Sequence, residues 1–138
     1  MLPSPSIWMI RLSLIYLLLA VTAGGLLMIH KAIDLHSALW ILLPVHFELA
    51  IWGWLIQFVI GTAYWMFPKF LTGTRRGPEW IAWIVLIVYN TGLLLLVNSS
   101  FVDSTFQFDI TGRTVIAVSL LIFVTLTWNR VVSYRKNH

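Results

Sequence analysis

The stretch PVHFELAIWGWLIQFVIGTAYWMFP, Pro44–Pro68, decides how this chain is read. It is apolar over more than the ~20 residues a helix needs to cross a bilayer core at 1.5 Å per residue. It lacks the two-residue alternation of a barrel strand. Backbone N–H and C=O groups in hydrocarbon have no water to bond, so a helix is the form such a segment takes. Two ionisable residues, His46 and Glu48, nevertheless stand near its start. An ionisable group in a membrane helix is costly enough to mark a candidate functional site.

The rest of the chain agrees with a membrane setting. With 59% hydrophobic and 10% charged residues in 138, one small soluble core cannot hide the apolar surface. Four apolar blocks, about Ile7–Ile29, His46–Phe67, Trp80–Val97 and Thr114–Trp128, predict an all-α, four-helix membrane bundle forming a single domain over residues 1–138. The first block ends in small residues like a signal peptide but has no basic segment before it, so it reads as an uncleaved span. Arg11, Lys69, Arg75, Arg76, Arg130, Arg135 and Lys136 fall on the side of the N-terminus, and only Lys31 and Arg113 fall opposite. This asymmetry predicts both termini in the cytoplasm. The net charge of +4 is then mostly cytoplasmic, and KFLTGTRRGPEW reads as a contact with anionic lipid rather than nucleic acid. The absence of cysteine excludes disulfides, thiolate metal sites and covalent CxxCH haem attachment.

How deep His46 sits depends on Pro44. If Pro44 opens helix two, where its missing N–H costs nothing, His46 lies within a turn of the outer face and level with His30 at the end of helix one. If the helix runs continuously from about Ser37 with a kink at Pro44, His46 lies deeper and the two histidines are offset. On a wheel of 3.6 residues per turn with His46 as origin, Ala50, Gly53, Gln57, Gly61 and Tyr64 share its face, whereas Glu48 and Trp52 point away. The small residues on that face either let a second helix approach closely or leave a flat slot for a macrocycle beside an axial imidazole.

The segment HFELAIWGWLIQFVIGTAYWMFP resembles helix two of the haem–copper oxidase subunit I superfamily, in particular its nitric-oxide-reductase-like branch. The resemblance lies in the early His46, aromatic residues around Gly53, the central Gly61 and the aromatic-apolar ending at Pro68. It implies that His46 is an axial ligand of a low-spin, non-covalent haem b, in a helix running from the outer face inward. Gly53 and Gly61 then belong to the haem-binding face. The resemblance covers about the first half of the chain. Full-length members have about a dozen helices and bring further histidines for a second haem and a metal. Helices three and four here contain no histidine. Reduction of oxygen or nitric oxide by this chain alone is therefore not expected.

A haem iron held by His46 needs a second ligand or an open position, and the candidates are His30, His36, Met28 or His46 of a second copy, with His30 the first choice. Arg113 and Lys31 are the cations available to propionates on the outer side, against ion pairs of Arg113 with Asp109 and of Lys31 with Asp34 or Glu48. The leading expectation is a b-type cytochrome acting in electron transfer, working as a homodimer or within a larger redox complex in a prokaryotic inner membrane. A haemless accessory subunit of a respiratory or photosynthetic complex is the alternative. A transporter ranks behind both, since Asn90 is the main polar group within helix three and no charge lies at mid-membrane.

Overall fold

The computed structural model describes residues 2–68, 77–101 and 105–133, so Lys69, Arg75, Arg76, Arg135, Lys136 and His138 lie outside the described residues. All regular structure among the described residues is helical. Four helical runs, Ser4–Ile33, Ser37–Met66, Glu79–Ser99 and Gln107–Trp128, are long and apolar enough to cross a membrane.

Helix α1 covers Ser4–Ile33. Pro5 sits in its first turn, where an N–H would have no partner in any case. Asp34 ends it in the left-handed region, at φ 49°, with its N–H bonded to the His30 carbonyl at 2.7 Å. Met9, Ser13, Ala20, Ala23, Leu27 and His30 form the buried stripe. Leu18, Val21 and Met28 face outward, which suits a helix apolar all round.

The second span is a composite. A 3₁₀ turn over Ser37–Ile41 leads into α2 (Leu42–Glu48), a π-helical segment over Leu49–Ile56, and α3 (Gln57–Met66). The start at Ser37 answers the question left by Pro44, which lies inside a continuous helical run, as the third residue of α2 just after the 3₁₀ turn gives way to α geometry. His46 therefore lies well inside the span, not one turn from its beginning.

The π segment changes the helical face. Val45, Leu49, Gly53, Gln57 and Gly61 are all buried, a repeat of four residues. In an unbroken α-helix such a repeat drifts by ~40° per step and leaves the face after two or three steps. The wider turns absorb about one extra residue and keep the stripe aligned. Val45, not His46, therefore heads the buried face, and His46 is turned to its flank.

Helix α1 lies along the second span, and α4 (Glu79–Ser99) lies along α5 (Thr105–Ser133). The two pairs meet where α4 touches α1 and the second span, with Met9 and Ile60 against Val85, Leu86, Tyr89 and Leu93. The α4–α5 crossing is close, since a Cβ on Gly92 would stand 2.9 Å from the Gly112 carbonyl oxygen. Such close backbone approach brings many atoms into van der Waals contact, a source of cohesion that does not depend on water. Ser119 adds a hydroxyl bond to the Val85 carbonyl at 2.9 Å. Helix α5 begins earlier than its apolar block, so Arg113 lies about two turns inside it instead of at its start.

Candidate functional site

His46 has a defined seat. Its Nδ1 lies 2.7 Å from the carbonyl oxygen of Ala20 on α1. An intact helix offers that oxygen as an acceptor only, so the Nδ1 proton is donated to it and Nε2 keeps its lone pair. The ring fits because Gly24, one turn on, has no side chain: a Cβ there would meet His46 Cε1 at 2.8 Å and Nδ1 at 3.0 Å. The ring is half-buried, and Nε2 has no hydrogen-bond partner among the described residues. A carbonyl on one ring nitrogen and a free lone pair on the other is the arrangement in which a histidine ligates a metal.

Gly53 and Gly61 are placed differently. A Cβ on Gly53 would meet Tyr16 Cβ at 2.9 Å, and one on Gly61 would meet Met9 Cβ at 2.9 Å, so α1 covers both. Ser6 also donates to the Gly61 carbonyl. Of the two explanations for the small residues, close helix approach is the one seen.

His30 is fully buried, with its ring edge-on to Trp40 at 5.2 Å between centroids. Its Nδ1 accepts the His36 N–H at 3.4 Å, which leaves the neutral ring's proton on Nε2, opposite to the tautomer of His46. Six residues separate His30 from Gly24, roughly 9 Å along α1. The structure does not bring His30 and His46 together. His36 caps the 3₁₀ turn by accepting the Ala38 N–H at 3.2 Å, and Met28 is exposed. Among the described residues no three His, Cys, Asp or Glu side chains converge on a metal position.

Arg113 bonds Asp109 at 3.0 Å and Glu48 at 2.8 Å, tying α5 to α2. Glu48, the second ionisable residue of the opening stretch, is thus an ion-pair partner, and Lys31 is exposed. Arg130, counted from sequence among the cations on the side of the N-terminus, is 1% exposed and donates to the carbonyls of Tyr64, Phe67 and Pro68 at 3.0, 2.6 and 2.9 Å. It closes the C-terminal end of α3, whose last carbonyls have no partners within the helix.

A polar group lies at mid-span between the pairs. Tyr16 donates to Asn90 Oδ1 at 2.7 Å, and Asn90 donates to the Leu86 carbonyl at 2.8 Å. Tyr89 donates to the Trp52 carbonyl, inside the π segment, at 2.7 Å. Gln57 donates to the Met9 carbonyl at 3.3 Å, while its Oε1 is buried without a partner among the described residues. The seat of His46 escaped the sequence reading because Ala20 contributes only backbone, and the pair Gly24-Gly25 does not say which glycine faces a ring. No family model, curated protein or solved structure matches the chain.

Proposed function

We propose that the chain is an integral membrane b-type haem protein in which His46 Nε2 is an axial ligand of the haem iron. The observation that carries this reading is the His46 imidazole itself, held through Nδ1 by the Ala20 carbonyl at 2.7 Å with Nε2 left open on the flank of the bundle. The residues fit the group in this respect and not in another: Gly53 and Gly61 are covered by α1, so the ring does not lie between them. A bound haem supplies one-electron chemistry, and the protein's part is to fix the imidazole, set its basicity and exclude water. Ala20 and Gly24 do the fixing. The apolar flanks of α1 and α2 provide the dry surroundings. Arg113, engaged by Glu48 and Asp109, is a propionate partner only by exchanging one of these carboxylates.

In this reading the four spans lie in a prokaryotic inner membrane with both termini in the cytoplasm. A single half-buried imidazole encloses a haem incompletely, so the chain works as a homodimer or with larger redox subunits. Native mass spectrometry from mild detergent reads this as subunit count and haem mass. The decisive assay is a pyridine haemochrome on folded protein made with adequate haem supply. Haem at a fixed stoichiometry, lost in His46→Ala without loss of membrane insertion, is the expected result, and folded protein without haem would refute the proposal. A second reading, a haemless accessory subunit, draws on one observation: the small-residue face of the second span is fully used in packing α1.

A further inference from the structure

We infer that Tyr89 and the π segment it holds are what aim the His46 imidazole outward, making Tyr89 a positioning residue for the axial ligand; the functional half of this inference rests on the haem reading, the positional half does not. The π segment adds about one residue between the buried faces of α2 and α3, equal to ~100° of rotation. Without it the residue facing α1 at the head of the stripe would be His46 in place of Val45, which is 6% exposed and packs with Ala20 and Leu49. A histidine there would have both nitrogens enclosed. With the extra residue, Val45 fills the interior, and His46 reaches the Ala20 carbonyl with Nδ1 while Nε2 stays open.

Helices depart from regular α geometry for identifiable causes, one being a side chain from outside that bonds into the backbone ladder. Tyr89 is such a side chain. It is 2% exposed, is carried by α4 and donates to the Trp52 carbonyl at 2.7 Å within the π segment. The adjacent Gly53 lets Tyr16 and Leu93 close to within 2.9 and 3.3 Å of where its Cβ would be, so both neighbouring helices press on the widened turn. Removing the hydroxyl removes the external bond that favours the π register over the α register.

The chain has no cysteine, so paired cysteines can report the register directly. Gly24→Cys is combined with either His46→Cys or Phe47→Cys, and disulfide yield after mild oxidation in membranes is read by peptide mass spectrometry. In the parent sequence the pair with position 46 should form severalfold more disulfide than the pair with 47. Adding Tyr89→Phe should reverse this preference, and in the protein retaining His46 it should lower haem occupancy severalfold. Deleting Ile51 provides a second arm independent of Tyr89. If Leu49–Ile56 holds an inserted residue, the deletion restores a regular helix and the preference for position 46 persists. In an ordinary α-helix the same deletion would turn α2 by ~100° and move the preference to position 45. Haem occupancy in Tyr89→Phe should also recover when Ile51 is deleted. An unchanged preference in Tyr89→Phe, or a shift to 45 on deletion, would overturn the inference. A register that responds as described in protein that never takes up haem would support the positional inference and refute the haem reading.

Discussion

Gly24→Ala is the sharpest single perturbation of the proposed site, because the neighbouring Gly25 supplies its own control. A Cβ at position 24 would stand 2.8 Å from His46 Cε1, against ~3.5–4.0 Å for an unstrained carbon contact, so the ring must retreat by about 0.7 Å or more. That retreat stretches the 2.7 Å Nδ1 to Ala20 bond to ~3.4 Å, beyond the usual N–H···O range of ~2.7–3.2 Å. The lost bond costs about 0.5–1.5 kcal/mol. Overpacking adds about 1–3 kcal/mol. Alanine returns about 0.5–1 kcal/mol over glycine within a helix. The net effect is a destabilisation of roughly 0.5–4 kcal/mol. At Gly25 a Cβ meets nothing within 4 Å, so Gly25→Ala should keep the helical gain alone. Thermal unfolding in detergent should therefore separate the two variants by about 1.5–4.5 kcal/mol, the lost bond and the overpacking together. Haem titration followed in the Soret band should show affinity for Gly24→Ala weaker by roughly tenfold, the equivalent of ~1.4 kcal/mol. Equal stability and equal haem affinity of the two variants would show that the ring is not seated against Gly24 and that the imidazole is not locked for axial ligation.

Three further outcomes follow from the same contacts. Arg130→Ala should destabilise the bundle by about 3–5 kcal/mol in detergent unfolding, because charge-assisted bonds to three carbonyls are lost together. Glu48→Gln should cost about 1 kcal/mol, with the difference only partly reduced at high salt, because Arg113 is 48% exposed and keeps Asp109 while Glu48 is 16% exposed. His30→Ala should open a cavity costing ~2–4 kcal/mol while leaving the haem spectrum unchanged; a change of coordination in that spectrum would place His30 at the iron and contradict its distance from His46.

Much of the fold was legible because a helix long and apolar enough to cross a membrane is written as length and apolarity, which need no knowledge of neighbours. The blocks from Ile7 and Trp80 found α1 and α4 to within a few residues. The start of α5 was missed because Gln107, Asp109 and Arg113 are polar, and an apolar threshold stops at such residues although a helix need not. His46 stood out through the cost of an imidazole in an apolar segment. Its orientation did not, because a wheel assumes 3.6 residues per turn and the departure here is tied to a hydroxyl 37 residues away. Arg130 lies on the side of the N-terminus, as its position predicts, but its burial was not legible, because what draws it inside is a set of backbone carbonyls, which have no letter in the sequence.

The Arg130 clamp also bears on the order in which the protein is made. Its acceptors lie at the end of the second span, and 62 residues separate Pro68 from the guanidinium that closes it. A ribosome therefore delivers the second span long before its terminal carbonyls have their donor. Until the last helix arrives, that end of the bundle stays dependent on water or lipid headgroups. The turn that carries Arg130 thus completes a structure begun by the first two helices, and a translation product ending short of residue 130 would carry an open helix end for quality-control proteases to find.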